Sequence, residues 1–203
     1  MSVPNLLTLL RISLIPILAV AFYLPFHGHH LVAACIFVVA AITDWLDGYL
    51  ARKLKQVSPL GEFLDPVADK LIVAVALVLL VQTYHTAWLA IPAAIIVSRE
   101  IVVSALREWM SELGKRQRVA VKGIGKLKTA GQMSAILLLL SQNPESIGWI
   151  SSAIIMFGYL LIYVAALLTL WSMVVYFQIA WEELNSPDLQ VADKAENLPT
   201  NQS

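Results

Sequence analysis

The sequence predicts an all-α integral membrane protein with six transmembrane helices and both termini in the cytoplasm. Of its 203 residues, 59% are hydrophobic and only 14% are charged, and the mean hydropathy is +0.74. The apolar residues fall into six long runs, and Lys and Arg concentrate in alternate loops between them. Such a composition is typical of membrane proteins and argues against a soluble globular domain.

Each apolar run is close to the 17–25 residues that cross a bilayer. Apolar residues follow one another without the alternation of a barrel strand, which favours helices. A short juxtamembrane segment precedes the first run. The predicted spans are Leu6–Phe26, His30–Leu50, Leu64–Tyr84, Trp88–Leu106, Leu127–Leu140 with flanking residues, and Trp149–Phe177.

The loops predict the orientation of the helices, because Lys and Arg accumulate on the cytoplasmic side. The first, third and fifth loops, at 27–30, 82–88 and 141–149, contain neither residue. We therefore expect the second and fourth loops in the cytoplasm. Their basic residues are Arg52, Lys53 and Lys55 in the second loop, and Arg107, Lys115, Arg116, Arg118, Lys122, Lys126 and Lys128 in and around the fourth.

A single membrane domain is predicted for residues 1–182. Residues 183–203 are polar, acidic and poor in large apolar side chains, which favours a loosely ordered cytoplasmic tail. The only cysteine is Cys35, so an intrachain disulfide is excluded. The first ten residues lack a positive charge, and we expect the first apolar run to remain in the protein as a span rather than to act as a cleaved signal peptide.

Four aspartates, Asp44, Asp47, Asp65 and Asp69, lie inside otherwise apolar runs. An ionised carboxylate at the centre of a bilayer helix costs roughly 2.5–3.5 kcal/mol. The cluster therefore requires positive charge nearby. Carboxylates at this density predict one or two divalent cations, and Mg²⁺ or Mn²⁺ suits such oxygen ligands.

Their spacing predicts one shared site. Residues three or four apart share a helix face, so Asp44 pairs with Asp47 and Asp65 with Asp69. Ser58-Pro59 is a helix-start signal between the pairs. The second and third spans thus form an antiparallel hairpin whose carboxylates face one another near its cytoplasmic end. Small residues beside them leave room for a ligand, with Arg52 at the rim for a phosphate. Pro66 either begins or kinks the third span.

These residues carry a resemblance to a known family. The stretch D-W-L-D-G-Y-L-A-R from Asp44, followed after eight residues by G-E-F-L-D-P-V-A-D, resembles the signature of the CDP-alcohol phosphotransferases at every fixed position. Three further segments, Pro4–Arg11, Ser98–Trp109 and Gly125–Met133, are similar to the subgroup of Gram-negative bacteria whose acceptor is sn-glycerol 3-phosphate.

The resemblance implies transfer of a phosphatidyl group from CDP-diacylglycerol to an alcohol, with release of CMP. It implies a homodimer in the bacterial inner membrane, with the site facing the cytoplasm. It makes Asp44, Asp47 and Asp65 metal ligands, and Asp69 both a second-metal ligand and the general base. The nucleotide site that it implies consists of Gly48, Ala51, Arg52 and Gly61, with Asn5, Thr8 and Arg11 from the N-terminal segment.

The phosphate of glycerol 3-phosphate needs cations of its own. The candidates are Arg107, Lys126 and Lys128, with Arg99 and Arg116 behind them. Lys126 and Lys128 are two residues apart, so one regular helix cannot point both in the same direction. A helix N-terminus after residues 123–125 would still gather them around an anion.

Several alternatives remain open at this point. The aspartates would also fit a structural ion-pair cluster with Arg52, Lys70 and Arg99, and Arg99 and Glu100 would fit an internal pair. The acceptor would otherwise be serine, inositol phosphate or phosphatidylglycerol. Intramembrane prenyl transfer and divalent-cation transport also use membrane carboxylates, although the polar ligands here lie at one end of the spans. His27, His29 and His30 are expected at the other end, as loop or interfacial residues.

Overall fold

Six α-helices form the described part of the chain. The computed structural model describes residues 3–26, 28–54, 59–112, 124–145 and 148–184, and no strand occurs in these ranges. The all-helical fold class is therefore confirmed. The helices are α1 (Val3–Tyr23), α2 (His29–Leu54), α3 (Pro59–Tyr84), α4 (Ala87–Glu112), α5 (Ile124–Leu140) and α6 (Trp149–Leu184).

The helices extend beyond the predicted spans at their charged ends. α2 continues to Leu54 and α4 to Glu112, because apolarity marks the part of a helix that faces lipid and not the place where its hydrogen bonding stops. α3 begins at Pro59, as the start signal predicts, so Pro66 lies inside the helix and does not begin it. α6 reaches Leu184, and the predicted tail from 185 onward lies outside the described residues.

Four of the helices in the described ranges are long and apolar enough to cross a membrane. Their candidate spans are Leu6–Tyr23, His29–Asp47, Ala87–Ser111 and Trp149–Gln178. The apolar stretch of α5, Lys128–Leu140, is shorter. α3 is not among the four, and it carries Asp65, Asp69 and Lys70 in its first half. The six-span count and the cytoplasmic placement of the termini stay predictions.

All six helices contribute to one apolar core. Its fully buried side chains include one from each helix, and large apolar side chains also cover the outer surface. An outer surface of this kind suits acyl chains better than water. The core examples are Leu18, Phe37, Leu77, Ile96, Ile136 and Ile162; the outer ones include Val20, Leu31, Val78, Phe157 and Leu167.

The packing of α1 and of α6 positions the site. α1 packs against both α2 and α3, more extensively than those two pack against each other, while α6 packs against α4 and α5. α5 and α6 approach closely at Gly158, where an added Cβ would lie 2.8 Å from Leu139 Cγ. Small residues at such crossings allow the backbones of two membrane helices to approach closely.

Candidate active site

A threonine on α1 joins the aspartates of α2 and α3. Thr8 Oγ1 lies 3.1 Å from Asp47 Oδ2 and 2.5 Å from Asp65 Oδ1. Thr8 and Asp47 are both buried. Asp47 and Asp65 are 18 residues apart in the sequence and lie on different helices. The hydroxyl of Thr8 therefore lies between carboxylates from two helices.

An arginine on the same face of α1 supplies the positive charge. Arg11 is three residues after Thr8, so both side chains point to one side of the helix. Its Nη1 lies 2.6 Å from Asp44 Oδ1, and its Nη2 lies 3.7 Å from Asp47 Oδ2. The Arg11 side chain is only 1% exposed. A buried guanidinium requires such carboxylate partners, because its desolvation is costly when it is unpaired.

Asp69 completes the group of four. It lies one helical turn beyond Asp65, and its charged neighbours are Asp44, Arg11, Glu100 and Lys70. The Asp69 side chain is exposed. The structure thus brings the two aspartate pairs into one region, with α1 inserted between them rather than a bare α2–α3 hairpin.

The donor atoms of this region fit a hard divalent cation. They are carboxylate and hydroxyl oxygens, the ligands that Mg²⁺ and Mn²⁺ prefer. Asp47 Oδ1 is buried and has no hydrogen-bond partner among the described residues, which leaves a carboxylate oxygen available to a ligand. Within the described ranges, however, no three acidic, histidine or cysteine side chains are gathered as a ready metal-binding group. The metal assignment therefore stays a prediction.

The alternative left open for the aspartates, ion pairs with Lys70 and Arg99, does not occur in the described part of the chain. Lys70 Nζ donates to Ser104 Oγ on α4, and Arg99 pairs with Glu100. Arg11 pairs with the aspartates instead, because α1 packs directly against both helices that carry them. The hypothesis of an ion-pair cluster is therefore wrong for Lys70 and Arg99 as partners of the aspartates.

The predicted nucleotide residues lie around the same region. Gly48, Ala51 and Arg52 follow Asp47 on α2, and Gly61 is buried in the first turn of α3. Asn5 lies in the first turns of α1. The side chains of Asn5, Ala51 and Arg52 lie outside what the structure describes. Thr8 and Arg11 are the two nucleotide candidates whose contacts are visible, and both contact aspartates.

A second group, of cations, forms where α4, α5 and α6 meet. Arg99 Nη1 donates to Glu100 Oε1 at 2.9 Å, and Lys128 Nζ donates to the same oxygen at 3.0 Å. Arg107 donates to the hydroxyl of Tyr176. Arg99 and Lys128 are both buried. Three of the five predicted phosphate-binding cations are therefore neighbours.

The remaining two candidates are less defined. Lys126 lies in the first turn of α5, but its side chain is outside the described residues. Arg116 lies wholly outside them. Arg99 and Glu100 do form the internal pair that was left open as an alternative, yet one carboxylate serves both Arg99 and Lys128. The described cluster therefore keeps a formal excess of positive charge.

Sequence reasoning missed the α6 side of this cluster. Tyr176 contacts Arg107, and Ser172 Oγ accepts a hydrogen bond from Arg99 Nη2 at 2.8 Å. Each pair is separated by about 70 residues, 69 and 73 respectively. Neither α6 residue belongs to a motif, so only the packing of α6 on α4 could reveal them.

Two further features involve α2: a pair of histidines at its N-terminal end and an apolar groove along its side. The rings of His29 and His30 lie 4.2 Å apart, tilted by 33°, at the N-terminal end of α2, away from its aspartates. His27 lies outside the described residues. An apolar groove of about 310 Å³ runs between α2 and α5. It is lined by Phe37, Val38, Ala41, Ile42, Trp45, Met133, Ser134 and Leu137, and Trp45 is the direct neighbour of Asp44.

A helical membrane protein with clustered aspartates beside a group of cations matches a known class of transferase. The chain belongs to the CDP-alcohol phosphatidyltransferase family, whose model matches residues 1–178. It is therefore a phosphatidyltransferase.

Several relatives within this family are about 50% identical to the chain. The chain is 52% identical to a CDP-diacylglycerol–glycerol-3-phosphate 3-phosphatidyltransferase of Pseudomonas fluorescens, over 92% of this chain and 93% of the relative. It is 50% identical to the protein of that name from Yersinia enterocolitica, over 92% and 99% of the two chains. The corresponding protein of Pectobacterium atrosepticum is 52% identical over 92% of this chain and 98% of its own.

Proposed function

We propose that this protein transfers the phosphatidyl group of CDP-diacylglycerol to sn-glycerol 3-phosphate, giving phosphatidylglycerol phosphate and CMP. This reaction belongs to the synthesis of anionic phospholipids, phosphatidylglycerol and cardiolipin. The names of relatives at about 50% identity support it. The observation that carries the choice of acceptor is the cluster of Arg99, Arg107 and Lys128, which borders Asp69 through Glu100.

The reaction breaks the phosphoanhydride bond of the donor and forms a phosphate ester bond to the acceptor. A glycerol hydroxyl oxygen attacks the phosphorus that bears the diacylglycerol group. The bond from that phosphorus to the bridging oxygen breaks, and CMP leaves with the electron pair. Asp69 receives the hydroxyl proton, because it is exposed and its charged neighbours include both Asp44 of α2 and Glu100 of the cation cluster. A positioned base of this kind contributes typically ~10²–10⁴-fold.

A divalent cation, Mg²⁺ or Mn²⁺, would be held by Asp44, Asp47 and Asp65, with Asp69 beside a second ion. When bound, it neutralises the phosphate oxygens and the charge that develops on the leaving group. The chain's own residues orient those ligands: Thr8 lies against Asp47 and Asp65, and Arg11 lies against Asp44. We assign Arg11, which lies against these aspartates, and Arg52, which follows Asp47 on α2, to the diphosphate of the donor.

The phosphate of the acceptor would bind the cations of α4 and α5. Arg99 and Lys128 already share one carboxylate, and a phosphate dianion would balance the positive charge that Glu100 leaves uncompensated. Serine, a zwitterion with no phosphate, would leave more of the positive charge of this cluster uncompensated. Lys126 and Arg116 belong to the same proposed site.

We place the enzyme in the bacterial inner membrane, as a homodimer with its site facing the cytoplasm. The basic residues of the second and fourth loops support this orientation, and the family resemblance supports the dimer. A nucleotide in water and acyl chains in lipid would then meet at the charged ends of the helices.

Activity with defined substrates tests the function. Purified protein is supplied with CDP-diacylglycerol and, separately, with glycerol 3-phosphate, glycerol, serine or inositol phosphate. We expect lipid product and CMP with glycerol 3-phosphate only, and loss of turnover after chelation that Mg²⁺ or Mn²⁺ restores. Equal rates with glycerol would refute the acceptor, and full activity after thorough chelation would refute the metal dependence.

A further inference from the structure

Tyr176 connects two of the proposed phosphate-binding cations. Its side chain is 3% exposed and packs with Val103 and Met110 of α4 in a small apolar cluster separate from the main core. The guanidinium carbon of Arg107 lies 5.0 Å from the centre of its ring, and that of Arg99 lies 5.9 Å from it. The Tyr176 hydroxyl is also the acceptor for Arg107.

The two arginines converge on this ring from different turns of α4. They are eight residues apart, which is about 12 Å along a helix axis. Like charges disfavour such convergence, and the electron-rich face of an aromatic ring offsets that repulsion. Because α4 apolar side chains fix the ring, Tyr176 holds both guanidinium groups toward the α4–α6 contact, close to Lys128.

We infer that Tyr176 is a positioning residue, which orients Arg107 and Arg99 as a pair that binds the phosphate of the acceptor. This inference rests on the proposed function. The ring sets where the two cations lie, and the hydroxyl fixes the rotation of the Arg107 guanidinium. Tyr176 itself need not contact the substrate.

Two variants separate ring from hydroxyl. Tyr176→Phe retains the ring and removes the hydrogen bond, so we expect the KM for glycerol 3-phosphate to rise roughly 3–10-fold. Tyr176→Leu removes both contacts, and we expect a rise of about 10–100-fold. The KM for CDP-diacylglycerol should change less than about twofold, because only acceptor binding is affected.

Tyr163→Phe is the matched control. Tyr163 is on the same helix, and its hydroxyl donates to the backbone oxygen of Trp88 at 2.8 Å, in a contact that includes none of the site residues. It should leave both KM values unchanged. If the unmodified protein makes no product from glycerol 3-phosphate, the proposed function fails; if it does, and Tyr176→Phe has the same acceptor KM, the role of Tyr176 fails.

A double variant distinguishes positioning from general support of the fold. If Tyr176 acts through Arg107, Tyr176→Phe should add little, less than about twofold, to the acceptor KM of Arg107→Ala. Effects that multiply would overturn the inference. So would a parallel rise in both KM values accompanied by a lower melting temperature, which is the pattern of a purely structural residue. Should Tyr176→Leu fail to fold, the Phe variants still decide.

Discussion

Arg11 is the residue on which the charge balance of the aspartate region depends. Its guanidinium is enclosed by the chain, whereas its partner Asp44 is about half exposed, at 49%. Removing one partner of a buried charge pair costs more free energy than the pair contributes to stability, because the remaining charge is left uncompensated. The role in nucleotide binding that the family resemblance implies is therefore combined with a role in holding α1 against α2.

We expect Arg11→Ala to lower the free energy of unfolding by about 1–3 kcal/mol, because Asp44 and Asp47 lose their shared cation while solvent screens the exposed part of Asp44. Thermal unfolding in detergent measures it. Lys53→Ala is the control, since Lys53 is an exposed cation on α2 and should change stability by less than about 0.5 kcal/mol. Equal melting temperatures for both variants would contradict the structural role of Arg11.

Asp69 and Asp44 should respond differently to loss of charge. Asp69→Asn removes the proposed base, so we expect the ion held by Asp44, Asp47 and Asp65 to remain bound while turnover falls ~10²–10⁴-fold. Asp44→Asn removes a proposed metal ligand, and both metal and turnover should be lost. Metal analysis and single-turnover assays of the two purified proteins measure these outcomes. Wild-type activity in either variant would rule out the role assigned to that residue.

At the residue scale, the aspartates could be predicted because their spacing is local. Asp44 with Asp47 and Asp65 with Asp69 share helix faces whatever the tertiary fold. The partners of these residues could not be predicted from spacing. Tyr176 approaches Arg107 only because α6 packs on α4, and Arg11 reaches Asp44 only because α1 lies between α2 and α3.

At the scale of the helices, the close crossing of α5 and α6 depends on a glycine, Gly158, which has no side chain. Gly158→Ala would place a methyl group 2.8 Å from Leu139 Cγ and 2.9 Å from its Cδ2. Leu139 is fully buried and has little room to move. We expect a loss of about 1–3 kcal/mol in stability from overpacking, despite the better helix propensity of alanine.

Gly131→Ala provides the comparison on α5, because an added Cβ there meets nothing within 4 Å. That substitution should be neutral or stabilise by up to about 1 kcal/mol. Melting temperatures of the two variants, measured in the same detergent, decide the matter. A Gly158→Ala protein at least as stable as Gly131→Ala would mean that α5 and α6 do not cross this closely.

The elements themselves were well predicted by hydropathy, and their ends were not. Every apolar run became a helix, and the Pro59 start was found from its local signal. α2 and α4 run further than predicted because a helix continues through its charged residues once its backbone bonds are formed. Whether Pro66 begins α3 or lies inside it depends on where α3 starts, and the apolar pattern alone did not determine that start.

For the whole molecule, the orientation in the membrane is the main prediction. In a Cys35→Ser background, Asn143→Cys lies between α5 and α6, on the side predicted to face outward, and Lys53→Cys lies at the charged end of α2. An impermeant thiol reagent should label Asn143→Cys in intact cells and Lys53→Cys only after permeabilisation. The reverse pattern would put the aspartates on the outer side and contradict the proposed function.

The contacts of α4 with α6 bear on how the chain is made. Arg99 and Arg107 enter the bilayer with α4, yet Ser172 and Tyr176 arrive only with α6, the last helix that the structure describes. Arg99 has a partner on its own helix in Glu100, but its hydrogen bond to Ser172 and the contact of Arg107 with Tyr176 both require α6. We therefore expect a nascent chain halted before α6 to lack both contacts, so that insertion of α6 completes the cation cluster.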